Sequence, residues 1–324
     1  MPGLTRVPRV GAMSAGVTTL ERVGAFVPGR EVSVEDVAGV LGFDRYTARM
    51  FRRVLGMERL REDPAGDVFD LVVAAASQVL PEERDHIRYL LFAHTVPEVT
   101  PAQLDAAQVL AHRLGLTHAD AFALTQQNCA SGLAAIDVAG ELLRDEGDPR
   151  ARALVVTGEK LFTPAVRVAG GMTLMGEGSG ACLIGLDGGV NRVRSYVATT
   201  RAVFAEGLRL PDDLLKEFND GYVGELTAIT AEALARAELT VVDIDLVVPH
   251  NVNRLLWLKV LDRLGAGRDR IFLDNLPRYS HCWCADPFLN LKSLHDAGRL
   301  VPGRHYLLTA VGLGSTYAAM VIEH

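Results

Sequence analysis

The strongest constraint on the fold of this chain is an alternation of strands and helices that occurs twice. Periodicity predicts strands over residues 86–92, 121–125 and 153–157, with helices over 101–114 and 133–143 between them. The same order returns as strands over 243–248, 270–273 and 305–310, with helices over 255–264 and 287–297. Ahead of both runs we predict a strand over 23–27 and helices over 34–41 and 68–80. Such alternation favours an α/β fold in which helices cover the faces of parallel strands.

The two runs also share short stretches of sequence. The segments that align are His94-Thr95-Val96 with His250-Asn251-Val252, and Asn128-Cys129-Ala130 with Ser280-His281-Cys282. This internal duplication predicts two pseudo-symmetric halves, residues 1–190 and 191–324. It places Cys129 and His281 at matching elbows across a pseudo-twofold axis.

Cys129 is the first candidate for a reactive residue. It lies between a predicted strand and a predicted helix, and the N-terminus of a helix carries about half a unit of positive charge. That charge favours a thiolate, and the small residues Ala130, Ser131 and Gly132 leave room for an acyl group. The alternative is a buried structural cysteine.

Composition excludes several classes of protein. With 324 residues, 49% of them hydrophobic and 23% charged, the chain is typical of a globular protein large enough for two packed domains. A net charge of −7 argues against nucleic acid as a partner. No stretch has the roughly 18 apolar residues that a membrane span needs, and residues 1–17 lack the apolar segment of a leader. Four cysteines in so long a chain predict no disulfide framework, so a reduced cytoplasmic setting is expected.

Three further motifs follow Cys129 in a fixed order. They are Gly176-Glu177-Gly178-Ser179-Gly180-Ala181, Val247-Val248-Pro249-His250-Asn251-Val252-Asn253 and Gly312-Leu313-Gly314-Ser315-Thr316. Together with Cys129 they resemble the thiolase superfamily, and within it the ketoacyl-acyl-carrier-protein synthase III branch with its GDGAGA, VPHQAN and glycine-triplet motifs. The resemblance implies a five-layer αβαβα sandwich and a homodimer. It also implies phosphopantetheine thioesters, carried by an acyl carrier protein or coenzyme A, as substrates, with no permanently bound cofactor.

The resemblance assigns roles to individual residues. Cys129 becomes the nucleophile that carries the acyl group, and its backbone N–H forms an oxyanion hole with a backbone N–H from the Gly312–Gly314 turn. His250 donates to the carbonyl of the second thioester or acts as a base, and Asn253 is an accessory residue. Acyl transfer between thioesters is therefore the predicted class of reaction.

One position departs from the family. Where the family has an asparagine about 30 residues after the histidine, this chain has His281. A Cys-His-His set resembles the elongating ketoacyl synthases, in which two imidazole N–H donors stabilise the enolate of a decarboxylated malonyl thioester. An imidazole is also a suitable base toward an alcohol or amine, which would make the protein a plain acyltransferase. The sequence leaves both open and slightly favours condensation, in a specialised pathway such as polyketide biosynthesis. A catalytically silent partner subunit is disfavoured, because both Cys129 and His250 are retained.

The residues around His281 complete the predicted site. We expect Trp283 and Met172 to form walls of the acyl or acceptor pocket, and Cys282 and Cys284 to pack as small apolar residues. Asp286 opens the next helix, either as its N-cap or as the charge that orients His281. A Cys-x-Cys pair without a second ligand pair predicts no metal site.

An arginine-rich stretch is the predicted docking site for the substrate's carrier. Arg49, Arg52, Arg53 and Arg59 stand where the family clasps the adenine of coenzyme A with a tryptophan and an arginine. The tryptophan is missing here, which favours an acyl carrier protein over coenzyme A as the acyl donor. The alternative is a helix face that contacts only solvent.

Overall fold

The computed structural model of the protein describes residues 16–169 and 171–324. The strands are β1 Thr18–Phe26, β2 Arg30–Ser33, β3 Arg59–Glu62, β4 Ile87–Ala93, β5 Asp120–Leu124, β6 Arg152–Glu159, β7 Val168–Ala169, β8 Thr173–Leu174, β9 Gly178–Leu186, β10 Arg192–Thr200, β11 Ile244–Val248, β12 His305–Gly312 and β13 Thr316–Glu323. The helices are α1 Val34–Leu41, α2 Arg45–Met50, α3 Val68–Ala76, α4 Ala106–Arg113, α5 Ser131–Glu146, α6 Asp212–Arg236, α7 Arg254–Leu264, α8 Leu276–Tyr279 and α9 Asp286–Asp296. Residues 1–15, for which the sequence predicts no leader, lie outside the described residues.

The large sheet is built from two units with the same strand order. The first unit runs β5-β4-β6-β9-β1, and the second runs β11-β12-β13-β10 with Ile271 bridged to Val247 at its outer edge. We number the strands of each unit from one to five by their order in the chain and count the Ile271 bridge as a strand. Both units then have the order 3-2-4-5-1 from their outer edge. The units meet where β1 pairs with β10 through Thr19 and Arg192. This confirms the two pseudo-symmetric halves, while the boundary at residue 190 stays a prediction.

Five layers follow from which residues share a core. The middle layer is α5 and α9, whose Ile136 and Leu291 are buried in one cluster with residues of both sheet units, such as Val155 and Leu308. Helices α3 and α4 cover the outer face of the first unit, and α6 and α7 cover that of the second. The αβαβα sandwich is thereby confirmed, and its central helices bring the two duplicated elbows together.

The elbows correct one detail of the predicted duplication. The 3-10 turn Asn128–Ala130 precedes α5 and begins with Asn128 at φ 50°, while Trp283–Ala285 precedes α9 and begins with Trp283 at φ 56°. The structural counterpart of Cys129 is therefore Cys284, and not His281. Alignment of the sequence alone matched His281 with Cys129. Helix α9, however, starts five residues after His281, whereas α5 starts two residues after Cys129.

Most predicted elements are confirmed, with differences at their ends. Helix α1 has the predicted bounds because Ser33 and Asp36 form a capping box before and inside its first turn. Helix α4 starts at Ala106, later than predicted, because the side chain of Asp105 caps it. The strand predicted over 270–273 is reduced to the single bridge at Ile271. Within the described ranges, no helix is both long enough and apolar enough to cross a membrane.

Candidate active site

Cys129 lies between the carboxyl end of β5 and the N-terminus of α5, where the sequence predicted it. It is buried, with 8% of the residue exposed, and its turn contacts the second elbow, where Cys284 Sγ lies 3.5 Å from the Asn128 carbonyl oxygen. Gly132 allows this packing, because a Cβ there would lie 2.9 Å from both the Cys284 carbonyl oxygen and the ring of Phe288. The turn thus holds Cys129 at the centre of the molecule, at the positive end of a 16-residue helix.

The glycine turn after β12 lies against the Cys129 elbow. A Cβ on Gly312 would come within 2.1 Å of the Gln127 carbonyl oxygen, and a Cβ on Gly314 within 3.0 Å of the Asn128 side-chain nitrogen. Gly314 also has a φ of 125°, which L side chains rarely adopt. Only glycines allow the two backbones to approach this closely. The two segments of the predicted oxyanion hole of Cys129, Gly312 and Gly314 are therefore in contact, and the role of these residues stays a prediction.

Asp286 is bonded to His281 and does not cap α9. The N-cap residue is Ala285, and the Asp286 carboxylate accepts a hydrogen bond from His281 Nδ1. It also accepts backbone N–H bonds from Asn251 at 2.5 Å and Cys282 at 2.7 Å. Both His281 and Asp286 are buried. Of the two alternatives for Asp286, the structure therefore favours the charge that orients His281.

His281 is positioned to hold a proton beside Cys129. Burial by itself lowers the pKa of His281, but the negative charges of Asp286 and Cys129 outweigh it and raise that pKa from 6.5 to about 10. A hydrogen bond between His281 and Cys129 adds to the same effect. The three residues form a Cys-His-Asp chain in which the protonated form of His281 is stabilised next to Cys129.

His250 is held in a different way. It follows β11 and is buried, and its Nε2 lies 2.6 Å from the hydroxyl oxygen of Tyr222. Burial lowers the pKa of His250 well below its usual value, and the charge on His281 adds to that effect. His250 is therefore neutral, with its ring centre 6.0 Å from that of His281. No motif singles out Tyr222 as a partner of His250, since an aromatic residue on a long helix gives no sequence signal beyond packing.

A small cavity of about 60 Å³ lies in front of Cys129. Its lining is mostly apolar and consists of Cys129, Ala169, Met172, Thr173, Phe218, Asn219, Tyr222, Val252, Leu256, His281, Val311 and Leu313. Met172 is thus where the sequence placed it. Trp283 is not part of this lining, because its turn directs the indole into a separate core cluster with Leu276 and Met175. Asn253 caps α7 by accepting from the Leu256 N–H at 2.8 Å, so its position has a structural explanation.

A second buried acid lies behind Cys129. Glu159 accepts the backbone N–H groups of Thr95 at 2.7 Å and Val96 at 2.6 Å. Burial raises the pKa of Glu159 to about 7, although these two N–H groups oppose the shift. The Thr95 hydroxyl lies 3.5 Å from the Cys129 sulfur and 3.2 Å from that of Cys284. Sequence reasoning missed Glu159, because a glutamate at a strand end carries no motif.

The four predicted docking arginines lie apart from the cavity, on exposed surface. Arg52 pairs with Glu35 at 3.0 Å, and Arg59 pairs with Glu31 at 2.5 Å. Arg49 and Arg53 are exposed on α2 and the π-helical turn that continues it. Among the described residues, no group of three His, Cys, Asp or Glu side chains is placed to hold a metal ion.

Comparison with known proteins identifies relatives of this chain. Residues 234–324 match the model of the 3-oxoacyl-[acyl-carrier-protein] synthase III C-terminal domain. A β-ketoacyl-[acyl-carrier-protein] synthase III from Roseiflexus sp. (strain RS-1) is 30% identical over 239 residues, which are 65% of this chain and 69% of that protein.

Two solved structures have the same fold over nearly the whole chain. The synthase III from Thermus thermophilus has a TM-score of 0.79 at 26% identity and covers 94% of this chain and 99% of its own. ChlB3, described as an acyltransferase, has a TM-score of 0.81 at 20% identity and covers 95% of this chain and 97% of its own. The fold, the site and the Roseiflexus relative together show that the chain belongs to the β-ketoacyl-[acyl-carrier-protein] synthase III family of the thiolase superfamily.

Proposed function

We propose that the protein moves an acyl group through an acyl-Cys129 thioester onto an oxygen, nitrogen or sulfur nucleophile, without decarboxylation. The observation that carries the proposal is the buried His281–Asp286 pair next to Cys129. A carboxylate bonded to one imidazole nitrogen fixes the ring and stabilises its protonated form, which is what a base needs when it takes a proton from an acceptor.

The first half-reaction loads the enzyme. The Cys129 thiolate attacks the carbonyl carbon of an acyl thioester, and the backbone N–H groups of Cys129 and the Gly312–Gly314 turn stabilise the oxyanion. The bond from carbon to the donor sulfur then breaks, and the leaving thiolate takes the proton from His281. Acyl-Cys129 and a neutral His281 remain.

The second half-reaction unloads it. Neutral His281 accepts the proton of the acceptor's O–H, N–H or S–H group as that atom attacks the acyl carbon. The bond between the acyl carbon and sulfur breaks, which returns Cys129 to the thiolate and leaves His281 protonated. The loss of the Cys129 charge on acylation removes one cause of the high His281 pKa, so proton release in the first step is favoured.

Decarboxylative condensation with a malonyl thioester is the second candidate. It is favoured by the presence of a second imidazole, that of His250, whose ring centre lies 6.0 Å from that of His281. In that reaction the bond to the malonyl carboxylate breaks, carbon dioxide leaves, and the resulting enolate carbon attacks acyl-Cys129. Both imidazoles would donate N–H groups to the enolate oxygen, whereas the Nε2 of His250 is already bonded to Tyr222.

The partners follow from the same proposal. The relatives are named for the acyl carrier protein, and we propose such a carrier as the acyl donor, with a homodimer as the working unit. A place in polyketide or other natural-product biosynthesis fits the departures from the family pattern at His281 and at the missing tryptophan.

The test is to follow acyl-enzyme and carbon dioxide together. We expect Cys129→Ala to lower acyl-enzyme formation at least about 10³-fold, measured by intact-protein mass spectrometry with acyl-CoA and acyl-carrier donors. Cys284→Ala is the matched control, because burial raises the pKa of its thiol well above the usual value and it should keep the acyl-enzyme.

Two outcomes would contradict the proposal. Cys129-dependent release of labelled carbon dioxide from a malonyl thioester at the rate of product formation would favour condensation. Full function of Cys129→Ala in a reconstituted pathway would instead indicate a catalytically silent partner subunit.

A further inference from the structure

Tyr222 is fixed in the wall of the cavity that Cys129 and His281 also line. It lies on α6 with 5% of the residue exposed. Its ring packs edge-on against Phe218 and Tyr317, with ring centres 5.7 and 6.0 Å away. The position of its hydroxyl is therefore set by packing and does not depend on the substrate.

The hydroxyl of Tyr222 is hydrogen-bonded to Nε2 of His250. The Tyr222 oxygen is 2.6 Å from His250 Nε2, while His250 Nδ1 is buried and has no hydrogen-bond partner among the described residues. A buried N–H without a partner is rarer than a buried acceptor without one. The favoured tautomer therefore has its proton on Nε2, which donates to the Tyr222 oxygen.

This tautomer leaves the Tyr222 O–H free to donate in turn. Tyr222 lines the cavity, whereas His250 is fully buried behind it and is absent from the lining. The backbone of His250 is held as well, since its N–H donates to the Thr309 carbonyl at 3.1 Å and its carbonyl accepts from the Trp257 indole at 2.9 Å. On this side of the cavity a bound substrate is thus faced by Tyr222 and not by His250.

We propose that Tyr222 determines the reaction of this site. It withdraws His250 from the substrate and presents its own hydroxyl in place of the imidazole, which suppresses decarboxylation of a malonyl thioester and retains acyl transfer through Cys129. This inference rests on the proposed function and names the residue that separates the two reactions.

The experiment compares two signals from the same protein. The purified 324-residue chain is incubated with short acyl-CoA thioesters and with malonyl-CoA labelled in its free carboxylate. The rate of carbon dioxide release is then divided by the rate of acyl-enzyme formation. Tyr222→Phe keeps the ring and removes the hydroxyl, and we expect the ratio to rise at least about tenfold, the rate equivalent of roughly 1.4 kcal/mol. The double variant Tyr222→Phe/His250→Ala should return the ratio to the native value, because the gain needs His250.

Tyr317→Phe is the matched control, since Tyr317 packs against Tyr222 in the same aromatic cluster but outside the cavity lining. Its ratio should equal that of the native protein. A folded Tyr222→Phe variant with an unchanged ratio would overturn the inference, as would a gain that persists without His250.

Failure of the inference and failure of the proposed function are distinguishable. Carbon dioxide release from malonyl-CoA without an acyl donor is measured in parallel. The native protein and Tyr222→Phe can therefore be compared even if no acyl-enzyme forms. Absence of acyl-enzyme would contradict only the proposed function. Rapid Cys129-dependent decarboxylation by the native protein would contradict both.

Discussion

At the scale of single residues, the chemistry of the site depends on how two histidines are partnered. His281 is bonded to a carboxylate and His250 to a phenol, although the sequence presents them as an equivalent pair. The carboxylate raises the pKa of His281, whereas burial lowers that of His250. Two identical side chains therefore acquire pKa shifts of opposite direction from different neighbours.

Asp286→Asn tests this assignment at the residue scale. The raised pKa means that His281 keeps its proton until the pH rises through about 10. We expect the acylation rate of the native protein to fall as the pH rises through that value. Asp286→Asn removes the largest effect that raises this pKa, so the fall should move to lower pH and the maximal rate should drop about 10²- to 10⁴-fold.

The measurement is the pH profile of the first turnover, followed as acyl-enzyme. Asp296→Asn, on the same helix but exposed and paired with Lys292, is the control and should keep the native profile. An Asp286→Asn profile that falls at the native pH would show that Asp286 does not set the proton affinity of His281.

At the scale of elements, the site is assembled from turns that only close packing brings together. The elbow before α5, the turn before α9 and the end of β12 belong to three separate parts of the chain. Gly132 and Gly312 have no side chain, and a Cβ at either position would push two of these segments apart. The packing of the elements thus fixes the distances between the residues of the candidate site.

Gly312→Ala is the corresponding prediction. The added methyl would lie 2.1 Å from the Gln127 carbonyl oxygen, so the end of β12 or the Cys129 elbow has to shift. We expect a loss of about 1–3 kcal/mol in the free energy of unfolding, from urea titration, and about a 10²-fold slower acylation. Gly39→Ala in α1 meets nothing within 4 Å and should stabilise by about 1 kcal/mol with native acylation. Native stability and rate for Gly312→Ala would refute the close approach.

At the scale of the whole molecule, a local positive surface stands out on an acidic protein. The sequence pI is about 5.7, yet Arg45, Arg49 and Arg53 follow one another at four-residue intervals along α2 and its π-helical continuation. Each of these arginines is followed in the sequence by an exposed apolar residue. These residues are Tyr46, Met50 and Val54. Parallel stripes of cationic and apolar side chains suit an acidic, partly apolar helix of a carrier protein.

The double variant Arg49→Glu/Arg53→Glu tests this surface. We expect the KM for an acyl group on a carrier protein to rise about tenfold, while the KM for the same acyl group on coenzyme A stays within about twofold. Added salt should raise the carrier KM of the native protein more than that of the variant, because exposed charges are screened. Arg150→Glu, before the amino end of β6 and so at the opposite edge of the sheet, is the control. An equal effect on both donors would exclude a docking role.

Much of this molecule is determined by short-range sequence signals. Apolar periodicity and capping residues such as Ser33 set most of its strands and helices, and the duplicated order of elements set its two halves, because these patterns act within a few residues of the chain. Cys129 was identifiable for the same reason, since a strand, a small-residue turn and a helix stand next to it.

Contacts between distant residues decided the rest. Tyr222 reaches His250 across 28 positions and Glu159 reaches Thr95 across 64, and no local pattern encodes either bond. The structural equivalence of Cys129 and Cys284 likewise appeared only in the tertiary structure. Equivalent positions are defined by where the helices start and how they pack, and not by sequence identity.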